Sequence, residues 1–174
     1  QDDSTPTISV VRADGDDGVV WESALPDGSG VGGGGLTASG TLEVDTGNDA
    51  LGVRQVQDVN DDWIDITADG TTVQGQYGEL SVNLDGSWTY TLSDNTLDHD
   101  DDDNTGADDQ VQDAFQVRAT DSDGDLSPEA TLTVDINDDG PVANADAVTQ
   151  DQENDPVLVD VLANDETGAD GVDL

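Results

Sequence analysis

The chain has 174 residues, with three Arg, no Lys, one His and 42 acidic residues, for a formal charge of -39. Three scattered Arg supply no cationic patch, which excludes nucleic-acid backbones and anionic membrane surfaces as partners. The absence of Cys excludes zinc–thiolate, iron–sulfur and disulfide chemistry, and the abundance of hard oxygen ligands makes calcium the natural partner.

Composition this acidic would by itself read as disorder, because a uniformly charged surface repels itself. The pattern argues against that reading, since the acids cluster at turns and the segments between them alternate apolar and polar. Strand-type stretches lie near 7–12, 36–45, 51–57 and 62–67. Leu80, Val82 and Leu84 then share one face, an Asp85-Gly86 turn follows, and Trp88, Tyr90 and Leu92 alternate in the same way. Residues 78–92 therefore predict a β-hairpin. Phe115, Val117 and Ala119, then Leu132, Val134 and Ile136, continue the period of two. Further turn signals stand at Asp14-Gly15, Asp27-Gly28, Asp69-Gly70, Asp123-Gly124 and Asp139-Gly140. No stretch carries a helical apolar stripe. Roughly seven to nine short strands with regular turns predict an all-β, antiparallel β-sandwich. No apolar run is long enough to span a bilayer, and no leader pattern opens at Gln1. The chain reads as a piece of a longer protein.

A partial repeat divides it. Asp2-Asp3-Ser4-Thr5-Pro6 and Asp138-Asp139-Gly140-Pro141 look like the same acidic, proline-ended joint. On that reading residues 1–139 form one complete unit and residues 140–174 a linker and the start of a second. Val157, Val159 and Val161 are the candidate first strand of that second unit, although a lone strand is not a domain.

Calcium takes about six to eight oxygens, and alternate residues on a turning chain can aim several carboxylates at one point. Asp121, Asp123 and Asp125, spaced by two around Gly124, have that property. The Asp135–Asp139 stretch (Asp135, Asn137, Asp138, Asp139) crowds carboxylates that would repel without a cation. Residues 98–109 are the densest acidic loop. There Asp98, Asp100, Asp102, Asn104 and Asp109 imitate EF-hand offsets, but Asp103 occupies the position that needs Gly and no flanking helices are predicted. That loop is either a local calcium site of another kind or a disordered acidic loop. Gly28, Gly30 and Gly33 satisfy G-x-G-x-x-G formally, without the strand–turn–helix context that nucleotide binding requires. Trp21, Trp63 and Trp88 read as core or rim packing. Trp63, flanked by Asp61 and Asp62, is the best of them for stacking on a ligand. His99 has no nucleophile arranged with it, and any carboxylate pair among 42 acids would match by chance, so no enzyme is expected.

Two segments carry a family resemblance. Gly78-Glu79-Leu80-Ser81-Val82-Asn83-Leu84-Asp85-Gly86-Ser87-Trp88-Thr89-Tyr90 resembles the hairpin signature of VCBS-type repeats in type I-secreted RTX adhesins. Phe115 to Asp125, continued by Ile136-Asn137-Asp138-Asp139-Gly140-Pro141, resembles the ending of those repeats and of cadherin repeats. Glu22-Ser23-Ala24-Leu25-Pro26-Asp27-Gly28 is similar to a motif near the start of long type I-secretion repeats. The resemblance implies a Greek-key, cadherin/Ig-like sandwich in a tandem array, stabilised by Ca2+ at its joints.

In cadherins an early Glu, a D-x-[DE] motif and a D-x-N-D-N linker converge on interdomain calcium. Glu22, with Asp121 and Asp123, matches the first two. Asp135-Ile136-Asn137-Asp138-Asp139 matches the linker, with Asp139 in place of the final Asn, and Asn144 and Asp146 would complete the shell from the next unit. The function implied is a calcium-dependent extender of a giant adhesin, secreted to the bacterial cell surface and supporting adhesion and biofilm formation. The alternative is a calcium-dependent module binding a peptide or glycan of a host or microbial surface. The expected partners are calcium ions and neighbouring repeats of the same chain, with no nucleic acid and no membrane insertion, and the chain is read as a monomer.

Overall fold

A computed structural model describes residues 4–30, 34–94, 96, 106–149 and 156–169, with the backbone alone for 106–108. Among the described residues, ten strands run in chain order. They are β1 (Thr7–Arg12), β2 (Val19–Trp21), β3 (Thr37–Asp45), β4 (Leu51–Gln57), β5 (Trp63–Asp65), β6 (Thr71–Gln74), β7 (Gly78–Val82), β8 (Ser87–Leu92), β9 (Gly106–Asp121) and β10 (Ala130–Asp138). A single 3-10 turn, Glu22–Ala24, follows β2.

Strand formation follows the alternation. In β8 Trp88, Tyr90 and Leu92 are buried while Thr89 and Thr91 face out. In β7 Leu80 and Val82 point inward, but Leu84 lies beyond the strand in the turn and is 50% exposed, so the apolar face ends one residue pair early. The β7–β8 hairpin closes where Gly86 N–H donates to the Asn83 carbonyl at 3.0 Å.

The strands form two five-stranded sheets, ordered β1-β3-β8-β7-β6 and β2-β10-β9-β4-β5. The chain crosses between sheets at β1–β2, β2–β3, β3–β4, β5–β6 and β8–β9, the Greek-key connectivity of an immunoglobulin-type sandwich. One pairing departs from the expected antiparallel arrangement: β2 runs parallel to β10, with Val19 opposite Asp135 and Trp21 opposite Asn137. The cause is the crossing from β1 to β2. The chain leaves one sheet at Arg12 and joins the edge of the other at Val19, beside β10.

The core is the interface between the sheets: Val20, Leu42, Val56, Val73, Leu80, Trp88, Tyr90, Phe115, Val117, Leu132, Val134 and Ile136. Each fully buried Leu, Val or Phe contributes about 1.5–3 kcal/mol. Tyr90 and Phe115 meet edge to face with centroids 6.2 Å apart.

Two of the three Arg span the sandwich. Arg12 of β1 donates to the Thr133 carbonyl of β10 and lies over the Trp88 ring, 5.9 Å from its centroid. Arg54 of β4 donates to the carbonyls of Leu42 in β3 (3.1 Å) and of Leu84 in the β7–β8 turn (2.7 Å), both on the opposite side of the sandwich. The third, Arg118, covers the Trp63 ring at 3.8 Å and bonds Gln55 Oε1 at 2.8 Å. Inside the sandwich the buried Asp113 of β9 accepts from the N–H groups of Gln76 (3.1 Å) and Tyr77 (3.0 Å) and from the Tyr90 hydroxyl (3.0 Å). That carboxylate pins the β6–β7 turn to the opposite sheet.

Beyond β10 the described residues hold no further strand. Residues 156–160 are irregular and 161–164 form a turn, with Val157, Val159 and Val161 each more than 40% exposed. The expected strand of a second unit is therefore not formed. Apolar alternation alone does not order a strand that has no neighbour to pair with.

Candidate metal centre

Antiparallel pairing of β4 and β9 sets Leu51 opposite Asp121, so the β3–β4 turn lies against the β9–β10 loop. Ser122 N–H donates to the Ala50 carbonyl at 2.8 Å and locks the two together. Gly52 permits the close approach, since a Cβ there would stand 2.4 Å from the Asp121 carbonyl oxygen.

Three carboxylates meet at this junction. Asp49, Asp121 and Asp123 each bring an oxygen within 4.8 Å of the others. Asp121 is 4% exposed, and its two oxygens have different roles. Oδ1 accepts from the N–H groups of Gly124 (3.1 Å) and Asp125 (2.9 Å), which shapes the loop around Gly124. Oδ2 is buried and receives no N–H or hydroxyl from a described neighbour, and the same holds for Asp49 Oδ2. Only a proton shared between acids, or a cation, can occupy such a position favourably.

The acidities express that conflict. Asp123 is pushed up to about 6, first because its carboxyl hydrogen-bonds to Asp121, then by burial and by the charges of Asp121 and Asp49. Burial works against the charge of Asp121, but hydrogen bonds from the Asp123 carboxyl and from neighbouring N–H groups outweigh it and hold Asp121 below the usual carboxylate range. Carboxylate oxygens are the hard donors that calcium prefers, and three carboxylates offer up to six of them. The residues present fit a calcium ion.

Of the predicted ligands, Asp121 and Asp123 belong to this group, whereas Asp125 does not and serves the loop through its backbone. Asp49 was absent from the sequence-based set. It lies 72 positions before Asp121, and only the pairing of β4 with β9 joins them.

Glu22, Asn137, Asp138 and Asp139 stand at the other end of the sandwich. Asn137 pairs with Gln110, 11 positions along β9 from Asp121, or roughly 35 Å at about 3.3 Å per residue. Glu22, in the turn after β2, is fully buried there and accepts from the Thr96 N–H. Asn137, Asp138 and Asp139 are buried at the same end. Asn137 accepts from the Gln110 amide, Asp138 from Gly140 N–H at 2.9 Å, and Asp139 from Ser29 N–H (2.8 Å) and Oγ–H (2.6 Å). The expected convergence of Glu22, Asp121, Asp123 and the linker on one ion does not occur within this chain, because the β9–β10 hairpin carries Asp121 away from Asp138. Asp135 faces outward, bonded to the Gln112 amide at 2.7 Å. Asn144 and Asp146 are exposed, with the Asn144 amide engaged by the Asn164 carbonyl at 2.8 Å. Asp98, Asp100 and Asp102 lie outside the described residues, as do His99 and Asn104. One face of Trp63 is taken by Arg118, which argues against that face as a stacking platform.

Among the described residues no helix is long and apolar enough to cross a membrane. A family model for the bacterial cadherin-like domain matches residues 23–138. No curated protein and no solved structure matches the chain.

Proposed function

The chain belongs to the bacterial cadherin-like domain family, and on that premise we propose that it is a calcium-dependent extender module of a long, secreted bacterial surface adhesin. Cadherin-like domains are adhesion folds rather than enzyme folds. The finer assignment, to VCBS-type repeats of an RTX adhesin that supports biofilm formation, rests on the hairpin and linker resemblances in the sequence.

The observation that carries the calcium reading is the buried, donorless Asp121 Oδ2 beside Asp49 and Asp123. Calcium would be held by those three side chains and would supply the positive charge that the chain lacks. It would thereby tie the β3–β4 turn to the β9–β10 loop. Glu22, Asn137, Asp138 and Asp139 form a second acidic end, where the chain continues toward its next repeat, and a further ion there would stiffen that joint. Residues 140–174 are read as the linker and the start of the next repeat.

Extracellular modules bind calcium at roughly 10⁻⁴ to 10⁻³ M, so such sites fill outside a cell and empty in cytosol. Calcium at about a hundredfold above its dissociation constant adds about 2.7 kcal/mol per site. Thermal unfolding with millimolar calcium and with chelator tests the reading. A midpoint raised by several degrees in calcium is expected, and identical midpoints would overturn it.

A second reading, capture of a peptide or glycan, is favoured by one feature. A groove of about 570 Å³ lies between the β1–β2 loop and the Gly34-Gly35 stretch that leads into β3, walled by Asp14, Asp16, Asp17 and Trp21. Binding on a peptide and glycan array in calcium, lost in Trp21→Ala, would favour capture over spacing.

A further inference from the structure

The segment after the joint does not trail away from the sandwich. It turns back at 161–164, and Val142 and Glu166 exchange both backbone hydrogen bonds, at 2.9 and 3.0 Å. Asn144 N–H donates to Asp165 Oδ1 at 2.6 Å, the Asn144 side-chain amide donates to the Asn164 carbonyl at 2.8 Å, and the Asn164 side-chain amide donates to the Ala145 carbonyl at 3.2 Å. The returning backbone then reaches the joint itself, where Ala169 N–H donates to the Asp139 carbonyl at 2.9 Å.

Only glycine fits the residue before that contact. Gly168 is buried with φ +63, and a Cβ there would stand 1.9 Å from the Asp139 carbonyl oxygen and 2.8 Å from Gly140. Those neighbours are backbone atoms and cannot swing aside. Asp139 is thus gripped twice. Its carboxylate is held by Ser29 of the sandwich, and its carbonyl by Ala169 of the returning segment.

We propose that residues 166–169 are an intrachain clasp, docking the segment after the joint onto the end of the sandwich formed by Leu25–Asp27, Ser93–Asp94 and Asp139–Gly140. The clasp fixes the direction in which the chain leaves the module, through backbone contacts that are separate from the Asp49, Asp121 and Asp123 group. The docking surface leaves room beside its occupant. Ala169 borders a cavity of about 170 Å³ together with Leu25, Pro26, Asp27, Ser93 and Asp94, enough for a longer apolar side chain.

Amide hydrogen exchange on the whole 174-residue chain in calcium tests this, with the amides of β9 and β10 as the internal measure of folding. The Ala169 and Glu166 amides are expected to exchange about tenfold or more slowly than in a free peptide. Gly168→Val should bring both to the free-peptide rate while β9 and β10 stay protected, and Ala169→Leu should slow both further. Free-peptide exchange at Ala169 in the unaltered chain would overturn the clasp, as would full protection surviving in Gly168→Val.

Discussion

Asp121 and Asp138 stand at opposite ends of one sandwich: Asp121 closes β9 opposite Leu51, and Asp138 closes β10 opposite Gly106. The acids that sequence similarity groups into one ion site are therefore two clusters, one at each end. The cluster around Asp121 gains Asp49 from the β3–β4 turn, so all three of its carboxylates come from this chain.

That division predicts which substitutions weaken calcium binding. Asp49→Asn and Asp121→Asn each remove a charge from the group and should lower the affinity of one site by about tenfold or more in calorimetric titration. Asp135→Asn, whose carboxylate faces outward toward Gln112, should leave that site unchanged. Equal losses from Asp49→Asn and Asp135→Asn would mean that the ion is held elsewhere.

The raised acidity constant of Asp123 predicts a pH dependence in the chelated protein. Its folded value, about 6, lies above the ordinary aspartate value of 3.8. The stabilisation it gives is therefore full below pH about 4 and is lost as pH rises through about 6. With chelator the melting midpoint should fall over that window, and Asp123→Asn should flatten the fall. A chelated protein that gains stability from pH 4 to 6 by the same amount with and without Asp123 would contradict the shared-proton account.

Arg54 joins the sheets through the Leu42 and Leu84 carbonyls. Arg54→Met keeps most of the apolar stem but deletes both bonds, and should cost about 1–3 kcal/mol in denaturant unfolding. No measurable loss would show that solvent replaces the guanidinium freely.

Asp113 should be more costly to change. Asp113→Ala strands the Gln76 and Tyr77 N–H groups and the Tyr90 hydroxyl, with an expected loss of about 3 kcal/mol or more. Burial, and then the neighbouring Asp113 charge, raise the Tyr90 phenol well above its ordinary range. Tyr90 should accordingly stay protonated, without the phenolate absorbance, up to the alkaline unfolding transition. Ionisation of Tyr90 near pH 10 in the folded protein would contradict this.

Much of the fold was legible because the core is written with period two. β1 and β4 match the expected stretches at 7–12 and 51–57, and the hairpin of β7 and β8 falls where the Asp85-Gly86 turn predicts it. β2 and β6 escaped, being three and four residues long with too little alternation to register. Asp49 escaped for a different reason: its neighbours in the turn are polar and unremarkable in sequence, and its role exists only once β4 pairs with β9. Glu22 was singled out by motif together with Asp121, but it lies at the Asn137–Asp139 end of the sandwich, beside the pairing of Trp21 with Asn137. Val157, Val159 and Val161 alternate as well as any true strand here, and remain exposed because nothing pairs with them.

A crystal structure of the chain grown in millimolar calcium tests the central claim most directly. An ion within about 2.3–2.6 Å of oxygens from Asp49, Asp121 and Asp123 is the predicted result. Water alone between those three carboxylates at full calcium would contradict it.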